Sequence, residues 1–169
     1  MAENPGAFSC VRGQTTARFV LRGPLAAARA AGAAFGVALP EQINRASASG
    51  ARAALMLGPD EWLLLADDGL AGALEPGLQA ALAAHPSSLV DVSHRQTGLL
   101  LAGPAAAQVL NAAMPLDLAP DAFPPGMATR TIFDKAEIVL WRTGPESFRL
   151  EVWRSFTPYV EALLQAVNG

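Results

Sequence analysis

The chain has 169 residues, 51% hydrophobic and 16% charged, with a formal net charge of −3. That length suits one domain or two small lobes sharing a core, and the acidic balance excludes nucleic acid and an anionic membrane as main partners, because either needs a basic face. A single cysteine, Cys10, excludes an internal disulfide framework and a multi-cysteine zinc site, and two histidines, His85 and His94, leave little room for a histidine-rich metal centre.

No apolar run reaches the ~18 residues of a membrane span. The opening MAENPGAFSC lacks the basic and then apolar layout of a secretory signal. These features lead to the expectation of a soluble, cytoplasmic protein. The apolar average has two sources: abundant alanine, which raises it without filling a core, and apolar surface covered by a partner subunit.

Residues 1–14 show little periodicity, hold Pro5, Gly6 and Gly13, and read as an N-terminal arm. From Ala17, Phe19 and Leu21 alternate with Arg18 and Arg22, the period of a half-buried strand. Gly23-Pro24 ends that strand and opens a helix through LAAARAAGAAFG, with Gly36 as its stop. Residues 40–51, polar and small, read as a loop. In AALMLGPDEWLLLA at 53–66, two apolar runs flank Gly58-Pro59-Asp60-Glu61, which predicts a hairpin. A helix fits 70–84, where Leu70, Leu74, Leu78 and Leu82 recur every four residues and Pro76 is expected to reset the start. SLVDVSHRQTGLLLAGP reads as extended chain, two strands meeting near His94.

Strand, helix, hairpin, helix, strand is the order of a ferredoxin-like β-α-β-β-α-β unit. The second half repeats it. LLLAGPAAAQVL at 99–110 echoes FVLRGPLAAARA at 19–30, and TGPESFRLEV at 143–152 echoes LGPDEWLLLA at 57–66. A final helix, FTPYVEALLQAV, has Thr157 as its expected N-cap. The expected fold is therefore α+β. A tandem pair of ferredoxin-like halves, about 15–93 and 94–169, forms one domain in which each covers what the other leaves exposed.

Candidate chemistry centres on Asp91, Ser93, His94 and Arg95 in VDVSHRQ. Asp, Ser and His suggest a nucleophile system, yet on a strand Asp91 and Ser93 share one face while His94 points to the other. The reading preferred here is that Asp91 and Ser93 satisfy neighbouring polar groups and that His94 and Arg95 lie at a lobe or subunit seam. Cys10 has no base near it in sequence. Asp134, Lys135 and Glu137 read as a solvated turn before a strand. Trp62, Trp141, Trp153, Phe148 and Phe156 lie on or beside the hairpin strands and read as core or interface packing. The G-x-G-x-x-G, G-x-x-x-x-G-K-[ST] and H-E-x-x-H patterns are missing. The Gly-Pro turns offer no run of free N–H groups for a phosphate.

At VDVSHRQTGLLLAGPAAAQVLNAAMPLDL the chain resembles the opening of the aminomethyltransferase (glycine cleavage T-protein) folate-binding domain. The ordered set LGPDEWLLLA, VDVSHRQ, PLDLAPDAFPPG, RTIFDKAEIVLWR and FRLEVWRSFTPYVEALL, over roughly 50–165, resembles the gamma subunit family of heterotetrameric sarcosine oxidase. The resemblance implies a non-catalytic subunit supporting assembly of a complex that oxidatively demethylates sarcosine to glycine. It implies alpha, beta and delta subunits as partners, and places FAD, FMN, NAD and tetrahydrofolate with those partners, with no cofactor in this chain. Aminomethyltransferases carry glycines and paired aspartates before the hairpin strand. Here the stretch reads FDKAEIVLW, with Ala136 and Glu137 at the aspartate positions. Glu137 is then a vestigial folate-site carboxylate, and Trp141 and Trp153 join Asp91, Ser93, His94 and Arg95 as interface or seam residues. The alternative is a stand-alone folate-binding one-carbon protein of the T-protein type.

Overall fold

A computed structural model describes residues 7–168. In chain order the elements are β1 (Ser9–Arg12), β2 (Thr16–Arg22), α1 (Leu25–Phe35), β3 (Arg45–Ser49), β4 (Arg52–Gly58), β5 (Glu61–Asp67), α2 (Ala71–Leu82), β6 (Ser88–Asp91), β7 (Gln96–Ala102), α3 (Ala106–Asn111), β8 (Ala128–Phe133), β9 (Ala136–Gly144), β10 (Ser147–Trp153) and α4 (Thr157–Asn168). They form two compact units. One is Gln14–His94, and the other joins the stretch ending at Gly13 to the stretch beginning at Arg95. The first six residues of the expected arm lie outside the described residues.

The Gln14–His94 unit is a five-stranded antiparallel sheet in the order β3-β4-β5-β2-β6. Alternate residues of β2 and β5, Phe19, Leu21, Trp62 and Leu64, pack on Ala27, Ala31 and Phe35 of α1 and on Leu78 and Leu82 of α2. The opposite face is also buried at Leu55, Leu63 and Leu65, so β4 and β5 read as continuous apolar runs rather than as alternation. The hairpin between them turns at Pro59-Asp60, as the sequence predicts.

The caps explain the bounds of α1. The Pro24 carbonyl accepts from the Ala27 N–H at 2.9 Å and the Ala28 N–H at 3.2 Å. Gly36 closes the helix in the left-handed region at φ +80, where its N–H donates to the Gly32 carbonyl at 2.9 Å. Two expectations need correction here. Residues 45–49, read as loop, are the edge strand β3; small residues alternating with serine give no apolar period, and the strand is set by its pairing with β4. Pro76 does not reset α2, which runs through it. The bond it removes would have gone to the carbonyl of Gly72, which is exposed in the first turn and open to solvent.

The second unit is also a five-stranded antiparallel sheet, in the order β1-β7-β10-β9-β8. Leu99, Leu101, Ile138, Leu140, Phe148, Leu150 and Val152 form its core with α3, α4 and the segment carrying Met114, Leu118 and Phe123. That irregular segment is held by a buried cation. Arg142 Nη1 donates to the carbonyls of Leu118 at 3.0 Å and Phe123 at 2.8 Å, and its Nε and Nη2 reach those of Gly144 and Pro145. The guanidinium also lies 5.0 Å from the Phe148 ring.

The two sheet orders correspond place by place. β8, β9, β10 and β7 stand where β3, β4, β5 and β2 stand, and β1 takes the place of β6. Without its extra edge strand, each sheet has the strand order of a ferredoxin-like unit. In the second half the place of the closing strand is held by β1, from the N-terminal part of the chain. Ser9–Arg12, read as arm, pairs in register with Leu99–Ala102. The Gly-Pro-Ala echo is also unequal, since α3 is six residues long against eleven for α1. Among the described residues, no helix is long and apolar enough to cross a membrane.

Candidate functional site

The VDVSHRQ corner is a structural clasp. Asp91 Oδ1 accepts from the Ser93 N–H at 2.8 Å and from the Ser93 hydroxyl at 2.5 Å. The Ser93 oxygen in turn accepts the Arg18 N–H at 2.9 Å, and the Val92 N–H donates to the Arg18 carbonyl at 2.8 Å. Arg18 is buried, and its Nη1 donates to the carbonyls of Thr16 at 2.9 Å and Ser93 at 3.3 Å. The hydroxyl proton of Ser93 goes to a carboxylate and a lone pair to an amide, so the group is committed to ending β6 against β2. An Asx turn of this kind is what those residue types favour locally. His94 is exposed and closes the unit.

Arg95 and Trp153 come together in the other unit. Trp153 pairs in register with Gln96, and the Arg95 guanidinium lies 5.7 Å over the Trp153 ring. The Arg154 N–H donates to the Arg95 carbonyl at 3.0 Å. The same sheet face carries a charge pair that sequence reasoning passed over. Arg149 Nε donates to Glu151 Oε1 at 2.7 Å, with Glu151 only 1% exposed. The pair sits over Gly98, where a Cβ would meet Arg149 Nη2 and Glu151 Oε1, each at 3.0 Å. The strand FRLEVW held the signal: charges two apart in a strand share a face. Trp141 stands opposite Arg149 on β9. Among the described residues of this unit, the buried side-chain atoms without a hydrogen-bonding partner are Trp141 Nε1, Gln96 Oε1 and Arg95 Nε. Trp141 stands across the sheet from the end where Trp153 and Arg95 meet, so the three candidates do not form one cluster.

Glu137 is the second residue of β9, pairs with Ile132, and has a side chain 60% exposed, 3.9 Å from Arg130 Nε. Ala136 beside it is buried against the core. The turn Asp134-Lys135 is closed by α4: Tyr159 donates its hydroxyl to Asp134 Oδ2, and the acceptor carboxylate raises the phenol pKa.

Cys10 is half-buried and, with Phe8, Glu161, Leu164 and Gln165, lines a cleft of about 350 Å³. Burial raises the thiol pKa above its usual value, and Glu161 raises it further. That is the opposite of an activated nucleophile. A second groove of about 350 Å³ runs along the end of α1 beside the Arg29–Glu41 ion pair at 2.7 Å. Trp62 is core, and its Nε1 donates to the Pro40 carbonyl at 2.8 Å. Thr157, expected to cap α4 through its oxygen, instead donates its hydroxyl to the Trp153 carbonyl at 3.3 Å. Among the described residues, no three His, Cys, Asp or Glu side chains gather as they would around a metal ion.

These features define an α+β protein of two ferredoxin-like antiparallel sheets in which Asp91 and Ser93 are engaged in holding the fold. That fold is shared, at a TM-score of 0.73 and 17% identity, with the glycine cleavage system aminomethyltransferase T of Bartonella henselae, over 94% of this chain and 45% of that one. The family model of the sarcosine oxidase, gamma subunit family matches residues 22–169, and the chain belongs to that family. A chain of the heterotetrameric sarcosine oxidase from Corynebacterium sp. U-96, solved in complex with pyrrole 2-carboxylate, matches with 34% identity and a TM-score of 0.87, over 98% of this chain and 88% of that one. The sarcosine oxidase gamma subunits of Corynebacterium sp. strain U-96 and of an Arthrobacter species are 39% and 42% identical, over 80% and 69% of this chain. The matches span 66% and 57% of the length of those two relatives.

Proposed function

We propose that this chain is a non-catalytic gamma subunit that supports assembly of a heterotetrameric sarcosine oxidase, the complex that oxidatively demethylates sarcosine to glycine. The observation that carries this reading is the likeness, across 98% of the chain, to a component of a solved heterotetrameric sarcosine oxidase. The state of the polar groups supports it. Ser93 is bonded to Asp91 and to β2, burial raises the pKa of the Cys10 thiol, and Glu137 projects from a sheet surface beside Arg130. On this reading the alpha, beta and delta subunits are the partners, they hold the flavins, NAD and tetrahydrofolate, and the complex is cytoplasmic. Asp91 and Ser93 brace the fold, while His94, Arg95, Trp141 and Trp153 belong to a seam or interface. Glu137 is a remnant carboxylate without a folate role.

Co-expression with the larger subunits tests the reading. The expected result is one stoichiometric complex that makes peroxide from sarcosine, and loss of that complex when this chain is omitted. A chain that purifies alone, apart from those subunits, and binds tetrahydrofolate in a Glu137-dependent way would instead support the stand-alone T-protein type.

A further inference from the structure

We infer that the corner where β10 turns into α4 is a docking surface for a separate chain that presents a carboxylate beside an apolar socket. The inference rests on the subunit reading and names the face and chemistry of the contact.

Trp153 ends β10, Phe156 occupies the turn and Tyr159 lies on the first turn of α4, and the three are exposed at 45%, 43% and 38%. The backbone holds them close. The Phe156 N–H donates to the Trp153 carbonyl at 2.8 Å, and the Val160 N–H to the Phe156 carbonyl at 3.0 Å. Phe156 and Tyr159, three residues apart at a helix start, are surface neighbours. Scattered exposed apolar residues need no explanation, but three large aromatics at one corner do. Such aromatics, with arginine, carry most of the energy in protein interfaces.

The adjoining cation indicates what the partner offers. Arg95 stacks on Trp153, its Nε is buried without an acceptor, and its guanidinium meets no carboxylate among the described residues. Arg154 starts from the same corner, its N–H bonded to the Arg95 carbonyl. A guanidinium half withdrawn from water and lacking an acceptor is costly until a carboxylate meets it. A second copy is the poorer occupant. A two-fold contact would need each copy to offer Arg95 an available carboxylate, and the one at this corner, Asp134, already accepts the Tyr159 hydroxyl.

The test measures assembly of the co-expressed heteromeric complex with Arg95→Glu and, separately, Phe156→Ser, checking each variant's thermal unfolding. The expected result is wild-type unfolding with complex affinity reduced about 30-fold or more for each, the scale of an interface hot spot. Should Arg95→Glu fail to fold, Phe156→Ser decides, because its exposed ring supports no core. Wild-type affinity in the folded variants overturns the docking surface and leaves the subunit reading standing. Self-association of the isolated chain that these variants abolish overturns it in favour of a second copy. A wild-type chain that forms no heteromeric complex overturns both.

Discussion

Arg12 on β1 and Glu161 on α4 meet through two hydrogen bonds, Nε to Oε1 and Nη2 to Oε2, both 2.6 Å, across 149 residues of sequence. The pair ties the N-terminal strand to the last helix of the unit that strand completes.

Removing residues 1–13 should therefore damage the second unit rather than trim a tail. It strips β1 from the edge of β7 and uncovers the core beside Phe8 and Cys10. The expected loss is on the order of 2–4 kcal/mol, with aggregation through the freed edge. Urea unfolding and light scattering check this, and an unchanged midpoint with a monomeric product would contradict it.

The same pair sets a pH dependence. The hydrogen bond from Arg12 holds the Glu161 carboxyl below its ordinary pKa, outweighing the opposing effect of burial. A carboxyl lowered in the folded state contributes stability above its unfolded pKa of about 4.3 and loses it as pH falls through the folded value. Wild type should thus lose more stability on acidification from pH 6 to 3 than Glu161→Gln does, with a smaller difference in high salt. Burial is the larger cause of the raised Cys10 pKa and Glu161 the smaller. Alkylation of Cys10 at pH 8 should accordingly be slow in wild type and only partly faster in Glu161→Gln.

Two glycines of β7 and its end should respond differently to alanine. Gly103 has φ +121, and a Cβ there would lie 2.5 Å from the Ala7 carbonyl oxygen, which is backbone. Gly103→Ala should cost about 3 kcal/mol or more. At Gly98 the obstruction is the tips of Arg149 and Glu151, which can shift, and Gly98→Ala should cost about 1 kcal/mol. Equal losses at the two sites would refute the assignment.

The Arg149–Glu151 pair should be costly to break and cheap to replace. Glu151→Ala takes the carboxylate away from a guanidinium whose side chain is 18% exposed, for an expected loss of about 3–5 kcal/mol. The double change Arg149→Met with Glu151→Leu should recover most of it, because both members of the 2.7 Å pair are then apolar. Denaturant midpoints of the three variants decide this. A double variant as weak as the single would mean the pair itself stabilises the sheet.

Hairpins were legible because Gly-Pro-Asp/Glu turns carry a local mechanism, and α1 because Gly36 can occupy a left-handed stop. Edge strands were not. β3 is Arg-Ala-Ser-Ala-Ser and β1 is Ser-Cys-Val-Arg, and neither shows a period, since their order comes from pairing with β4 and β7. β8 overlaps the start of RTIFDKAEIVLWR, where no Gly-Pro turn marks the hairpin with β9. Asp91 and Ser93 could be read as braces from their two-residue spacing. The meeting of Arg95 with Trp153 could not, since 58 residues separate them and only the β7–β10 register brings them together.

The most direct test of the account is the light-scattering mass of this chain alone and mixed with the larger subunits of a sarcosine oxidase. The account predicts a heteromeric complex that needs this chain to persist, while the isolated chain oxidises no sarcosine. An unchanged mass on mixing would contradict it.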